Sequence, residues 1–235
     1  MLTRIQLILA LWAIPMMASS QVSDAKFFYG FKAGGITSGI ENVSSTIIRP
    51  VFPIETYNTK AINRNGITAG FNIYYRFKES RLAIQPEVSY AMGGGDFNYT
   101  DVNDLDYTIQ FKYQYLHISL LTKLYLAGGL HVSLGPTLGL NLTNTSLQYR
   151  SNMPDLGPDL QIQQSLREVL KGKNNFMLSG GIGFDAGMGL GIEARYNLGL
   201  VDILETQANG FFFIENDNRS SSIQVTVSYL IPFVD

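Results

Sequence analysis

The sequence contains no cysteine, which excludes disulfides, a lipid-carrying cysteine and any thiolate metal site. It is also poor in charge: Asp, Glu, Lys and Arg make up 15% of its 235 residues, against roughly 25% in an ordinary soluble domain. With a net charge of −2 there is no basic footprint, so nucleic acid is not expected as a partner. Long apolar runs are missing beyond the first residues, which excludes a membrane-spanning helix in the body of the chain. Yet 46% of the residues are hydrophobic. Apolar residues that are abundant but dispersed point to strands, and the length suits one domain.

The one apolar run lies at the start. Arg4, an apolar core over residues 5–17 and the small Ala18-Ser19-Ser20 form the pattern of a secretory signal peptide spanning residues 1–20, leaving residues 21–235 as a single domain. The core is too short for a spanning helix of about 20 residues.

Residues 130–142, LHVSLGPTLGLNL, show what the rest is made of. Leu130, Val132, Leu134, Pro136, Leu138, Leu140 and Leu142 alternate with His131, Ser133, Gly135, Thr137, Gly139 and Asn141. A period of two is a strand with two unlike faces. A solvent face would carry Lys, Glu and Arg, whereas this polar face is small and nearly uncharged. The strand reads as apolar toward lipid and small-polar toward a narrow lumen. The same alternation recurs over residues 27–36, 66–77, 82–92, 107–124, 176–186, 190–200 and 223–233. In the fourth of these eight strands the apolar phase slips between Tyr115 and Leu116, which predicts a β-bulge or a strand leaving the membrane at its outer end.

Long connections (37–65, 143–175, 201–221, and a loop beginning at Gly93-Gly94-Gly95) alternate with short turns, and both ends fall on the short-turn side. Together these features predict an all-β fold, an eight-stranded antiparallel up-and-down transmembrane β-barrel in the outer membrane of a Gram-negative envelope. Phe27, Tyr29, Tyr75, Phe77, Tyr125, Phe184 and Phe233 are expected in a periplasmic aromatic girdle, and Tyr90 and Phe176 in an outer one. A soluble sandwich or lipocalin-like barrel would have to put Gly, Ser and Thr on its solvent face.

Ile84-Gln85-Pro86-Glu87-Val88-Ser89-Tyr90, residues 116–125, Gly135-Pro136, Glu193-Ala194-Arg195-Tyr196-Asn197-Leu198-Gly199-Leu200 and the terminal Tyr229-Leu230-Ile231-Pro232-Phe233 resemble the PorT-type outer-membrane β-barrel family. The seventh-strand motif is the most specific part. The sequence departs from the family pattern at His117, commonly Glu, at Ser119, often Pro, and in carrying Val234-Asp235 after the terminal aromatic. The resemblance implies an eight-stranded barrel, an outer-membrane address and an insertion signal for the barrel-assembly machinery. It implies no single activity; some members are linked to secretion of proteins with a C-terminal sorting domain.

Pro86 and Pro136 fall inside strands, and a bulge is expected at each because proline removes an N–H donor. Counting along the strands places Lys32, Glu87, Glu193 and Arg195 near one level of the lumen and Arg76, Lys123, His131 and Asp185 near a lower one. Buried charges must pair, so these eight are expected to form a structural ion-pair network that fills the barrel; the alternative is a narrow small-solute or ion conduit. An open porin channel is disfavoured at this strand number.

Pairing around Ala127 is expected to set His131 opposite Lys123, with His117 about six residues higher, too far apart to share a metal. No catalytic constellation, cofactor site or metal site is expected, and a rim-located enzyme is the least favoured reading. Asp101, Asn103, Asp104 and Asp106 form an oxygen-rich loop without the Gly and distal Glu of an EF-hand. Residues 159–171, with Leu160, Ile162, Leu166, Val169 and Leu170, predict a short amphipathic helix that folds over the barrel mouth or docks a partner. The expected partners are outer-membrane lipid, the assembly machinery and a secretion or envelope protein, in a structural or interaction role.

Overall fold

A computed structural model describes residues 27–41, 57–78, 80–101, 106–143, 146–152, 159–206 and 218–233. The signal-peptide reading of residues 1–20 and the residues after Phe233 lie outside these. Eight strands close a ring: β1 (Phe27–Ile40), β2 (Tyr57–Arg76), β3 (Leu82–Asp101), β4 (Asp106–Ala127), β5 (Leu130–Asn141), β8 (Asn175–Asp185), β9 (Leu190–Asp202) and β11 (Arg219–Pro232). All neighbours are antiparallel, and β1 pairs with β11, Phe28 facing Pro232 and Ile40 facing Ser220, so no edge remains. Between the ring strands run β6 (Leu147–Ser151), the helix α1 (Asp159–Val169), β7 (Leu170–Gly172) and β10 (Leu204–Thr206). The strand β6 extends the upper part of β4, and β7 pairs with β10.

The faces are as the alternation predicts. Phe31, Ile67 and Leu134 are nearly 60% exposed on the outside, while His131, Glu87 and Lys123 are buried inside. Large apolar residues stand outward on every ring strand, which is the surface of a protein in lipid rather than water.

Three ring strands, β2, β3 and β4, are about twice as long as a membrane needs. In β4 every odd residue from Ile109 to Tyr125 is buried without a break, so the slip at Tyr115–Leu116 is not a bulge. The strand leaves the membrane. Below this point the outward positions are Leu116, Ile118, Leu120 and Leu124; above it they are Gln114, Lys112 and Gln110. In water the inner face becomes the apolar one, and Ile109, Phe111, Tyr113 and Tyr115 join Phe97, Leu147, Leu170, Ile203 and Leu204 in a core above the membrane. Ile162 and Leu166 of α1 pack onto that core, but Leu160 points away, 70% exposed.

Several details differ from the sequence reading, among them the end of the helix predicted over 159–171: α1 stops at Val169, and Leu170 and Lys171 lie in β7. Gly93-Gly94-Gly95 is not a loop but lies within β3, and the irregularity there is a register shift in β2 between Asn63 and Thr68. Neither proline makes a bulge. The ladder is continuous toward β4 at Pro86, which faces Leu120, and toward β8 at Pro136, which faces Leu178. A residue of an antiparallel strand sends its N–H and C=O to the same neighbour, so each proline interrupts pairing on its other side alone, without changing register. Tyr125 is not in the girdle; it points inward and is buried. A register shift next to the Gly128 turn sets His131 opposite Tyr125, not Lys123.

Candidate functional site

The lumen gathers the polar chemistry. Gly, Ser and Thr on the inner faces leave space for a few long side chains, and the levels of the strands decide which ones meet. At the upper level Lys32 Nζ donates to Glu87 Oε1 at 2.6 Å. The Arg195 guanidinium forks between two carboxylates, reaching both oxygens of Glu87 and donating to Glu193 Oε2 at 3.0 Å. Gln85 Nε2 donates to Glu87 Oε2 at 3.1 Å, and Ser133 Oγ to Glu193 Oε1 at 2.5 Å. Two cations and two carboxylates, each under 10% exposed, thus compensate one another across β1, β3 and β9.

The lower level centres on Asp185. Its Oδ2 accepts from Tyr125 Oη at 2.5 Å and Lys123 Nζ at 3.3 Å, and lies 3.4 Å from His131 Nδ1. Arg76 does not join an ion pair among the described residues; its guanidinium lies over the Tyr125 ring, 4.8 Å from the centroid. Seven of the eight residues placed in the lumen by counting therefore fall into two clusters, four above and three below, with Arg76 apart.

Sequence reasoning missed the neutral partners Gln85, Ser133 and Tyr125. Gln85 and Ser133 hold inward positions that the alternation marks, whereas Tyr125, an aromatic near a strand end, suits a girdle as well as a lumen floor. Also missed is a chain of neutral groups running across the wall: Thr137 donates to Ser119 at 2.8 Å, Ser179 donates to Asn197 Oδ1 at 2.7 Å, and Asn197 Nδ2 donates to Ser222 at 3.0 Å.

Aromatic and apolar groups flank both ends of this polar segment, and at the lower end Asp185 lines a cavity of about 350 Å³ together with Phe28, Tyr74 and Tyr125. Below, Phe28 and Tyr74 pack edge to face, and Tyr74 on Tyr125 likewise, with Ala83 and Leu230 beside them. Above stands the apolar core on β3, β4, β6, β7 and residues 203–204. The helix α1 is tied to this cap: Arg167 Nε donates to the Leu147 carbonyl at 2.8 Å, and Gln163 Oε1 accepts from the Tyr149 amide at 3.1 Å. Within the cap Tyr107 stacks on Tyr99 at 4.7 Å, and burial pushes its phenol above the usual tyrosine range, aided by Tyr99 and Tyr149.

His117 faces Gly139 and His131 faces Tyr125, so the two lie eight positions apart along β5, about 26 Å at roughly 3.3 Å per residue. Among the described residues no group of three His, Asp or Glu side chains is arranged to hold a metal. Of the oxygen-rich loop only Asp106 has a described side chain, and its carboxylate accepts from Thr100 Oγ1 at 3.2 Å.

Comparison with known proteins bears on this barrel as a whole. Residues 18–205 match the family model described as outer membrane protein beta-barrel domain. Among solved structures, similar ones include the outer membrane protein OprG from Pseudomonas aeruginosa, 13% identical, with 89% of this chain and 98% of that chain covered and a TM-score of 0.46. Ail, the attachment invasion locus protein of Yersinia pestis, in complex with the heparin analogue sucrose octasulfate, is 11% identical over 88% of this chain and 99% of its own, at a TM-score of 0.41. Neisserial surface protein A is 11% identical over 89% and 98%, at 0.40. No curated protein matches the chain.

Proposed function

The chain belongs to the family of outer membrane protein β-barrel domains, and from that premise we propose that it is a closed, non-enzymatic barrel with a structural or protein-interaction role in the cell envelope. The observation that carries this reading is the filled lumen: a compensated ion cluster of Lys32, Glu87, Glu193 and Arg195 between an aromatic floor and an apolar cap. A side-chain arrangement of this kind stiffens the wall and leaves the folded cap as the surface offered to the cell exterior. The motifs that resemble the PorT-type family, residues 84–90 and 193–200, supply three of the four charges, Glu87, Glu193 and Arg195. That resemblance favours an accessory role in protein secretion.

The partner-facing surface is tested by mild crosslinking and affinity purification from outer membranes, comparing wild type with L160E/E168R. Both residues are exposed on α1, so the cap core stays intact. Specific proteins that co-purify with wild type and are lost with the variant support an interaction role for the helix. An unchanged or empty set of co-purifying proteins contradicts it.

A further inference from the structure

The outer wall carries a built notch at the height where the lipid band ends. That height is marked by neighbouring strands: outward residues turn from apolar to polar between Leu116 and Gln114 on β4, above Met92 on β3, and above Ile67 on β2. Met92 and Gln114 face each other across the β3–β4 ladder. At this level the shift in β2 brings two successive residues to the outside. Asn65 Oδ1 accepts from the outward Thr37 Oγ1 at 2.8 Å, and Arg64 reaches the outward Asp96 at 3.0 Å.

Between Arg64 on β2 and Lys112 on β4, the outward position of strand β3 is Gly94, which faces Lys112 in the ladder, so no β3 side chain covers the wall there. A cavity of about 150 Å³ lies there, lined by Arg64, Asn65, Met92, Lys112 and Gln114 and reaching through the wall to the inward Ser38, Gly93 and Tyr113. Gly94 is held at a φ of 111°, and a Cβ on it would meet the Phe111 carbonyl oxygen at 1.8 Å, so no larger residue fits in this backbone. Arg150 adds a third cation near Lys112, whose ammonium is held below the usual lysine range by partial desolvation and by Arg64 and Arg150. Lys112 Nζ donates to Gln148 Oε1. One carboxylate, Asp96, stands beside Arg64 and Lys112, accepting from Arg64 and from Gln110.

We propose that this notch binds the phosphate of an outer-leaflet lipid headgroup, with Arg64 and Lys112 as the two arms and Met92 below them against the acyl chains. Excess positive charge on an otherwise charge-poor wall, a stretch that no β3 side chain covers and a position at the lipid–water boundary all fit a phosphomonoester whose tail lies in the band beneath. The site shares no residue with the lumen ion cluster and does not depend on whether the cap has a protein partner.

The test uses the full barrel in nanodiscs of phosphatidylcholine with a minor fraction of phosphatidic acid, with native mass spectrometry counting lipids retained on release. Wild type is expected to retain phosphatidic acid preferentially, and R64Q/K112Q to lose the preference by about tenfold or more. K78Q, in a periplasmic turn, should retain it, and D96N, which removes the competing carboxylate, should increase it. Heat-modifiable gel migration verifies folding of each variant. Equal retention in wild type and R64Q/K112Q, or no increase in D96N, would overturn the proposal. So would displacement by inorganic phosphate at the same concentration, which would make the ligand a free anion rather than a lipid.

Discussion

At the scale of single residues, the lumen is a question of compensation. Glu87 is the acceptor for both Lys32 and Arg195, so Glu87→Gln leaves two buried cations with one full carboxylate between them. The expected cost is about 3–5 kcal/mol, read from urea unfolding of the refolded barrel; adding Lys32→Met to Glu87→Gln should recover part of it, because the two groups are coupled. Gly94→Ala should destabilise by about 1–3 kcal/mol on backbone grounds alone. The four upper charges were legible in the sequence because inward positions can be counted from the turns, and an uncompensated charge inside a narrow barrel has nowhere else to go. Tyr125 was not legible: an aromatic near a strand end suits a girdle as well as a lumen floor, and the register shift beside Gly128 that decides which neighbours it meets leaves no compositional mark. The displacement of His131 from Lys123 to Tyr125 has the same origin.

At the scale of elements, β4 holds the clearest lesson. Its inner face is constant, while the medium outside changes from lipid to water, so the hydrophobic side of the sequence pattern inverts although the geometry does not. Sequence alone could not separate that inversion from a bulge. Because the chain has no cysteine, single cysteines can report the boundary cleanly. Ile118→Cys and Leu124→Cys should react only with lipid-soluble reagents, and Gln110→Cys and Gln114→Cys with aqueous ones. Leu120→Arg, near the middle of the apolar band, is expected to cost about 2–4 kcal/mol, while Gln110→Arg should be near neutral. If both cost the same by urea unfolding, the boundary is misplaced. The extra strand length of β2 and β3 escaped the sequence reading for the same reason, since a strand in water on one side and a cap on the other lacks the lipid-facing apolar row. The helix α1 was legible from its spacing, and Ile162 and Leu166 do pack inward; that Leu160 does not follows from its place on the opposite side of the helix.

At the scale of the whole molecule, an eight-stranded antiparallel ring is stabilised by backbone pairing around the closed circuit and by an outer face suited to lipid. The fold and the outer-membrane address were readable from alternation and connection lengths, whereas the cap, assembled from β6, α1, β7 and β10 over the mouth, depends on contacts between segments far apart in the sequence. On the proposed reading, polar cluster, aromatic floor and apolar cap together leave no open path. Planar-bilayer recording of the refolded wild-type barrel tests it most directly. Current at the bare-membrane baseline over a wide voltage range is the expected result. Steady ohmic steps whose size changes on neutralising Glu87 or Arg195 would contradict it and make the lumen a conduit.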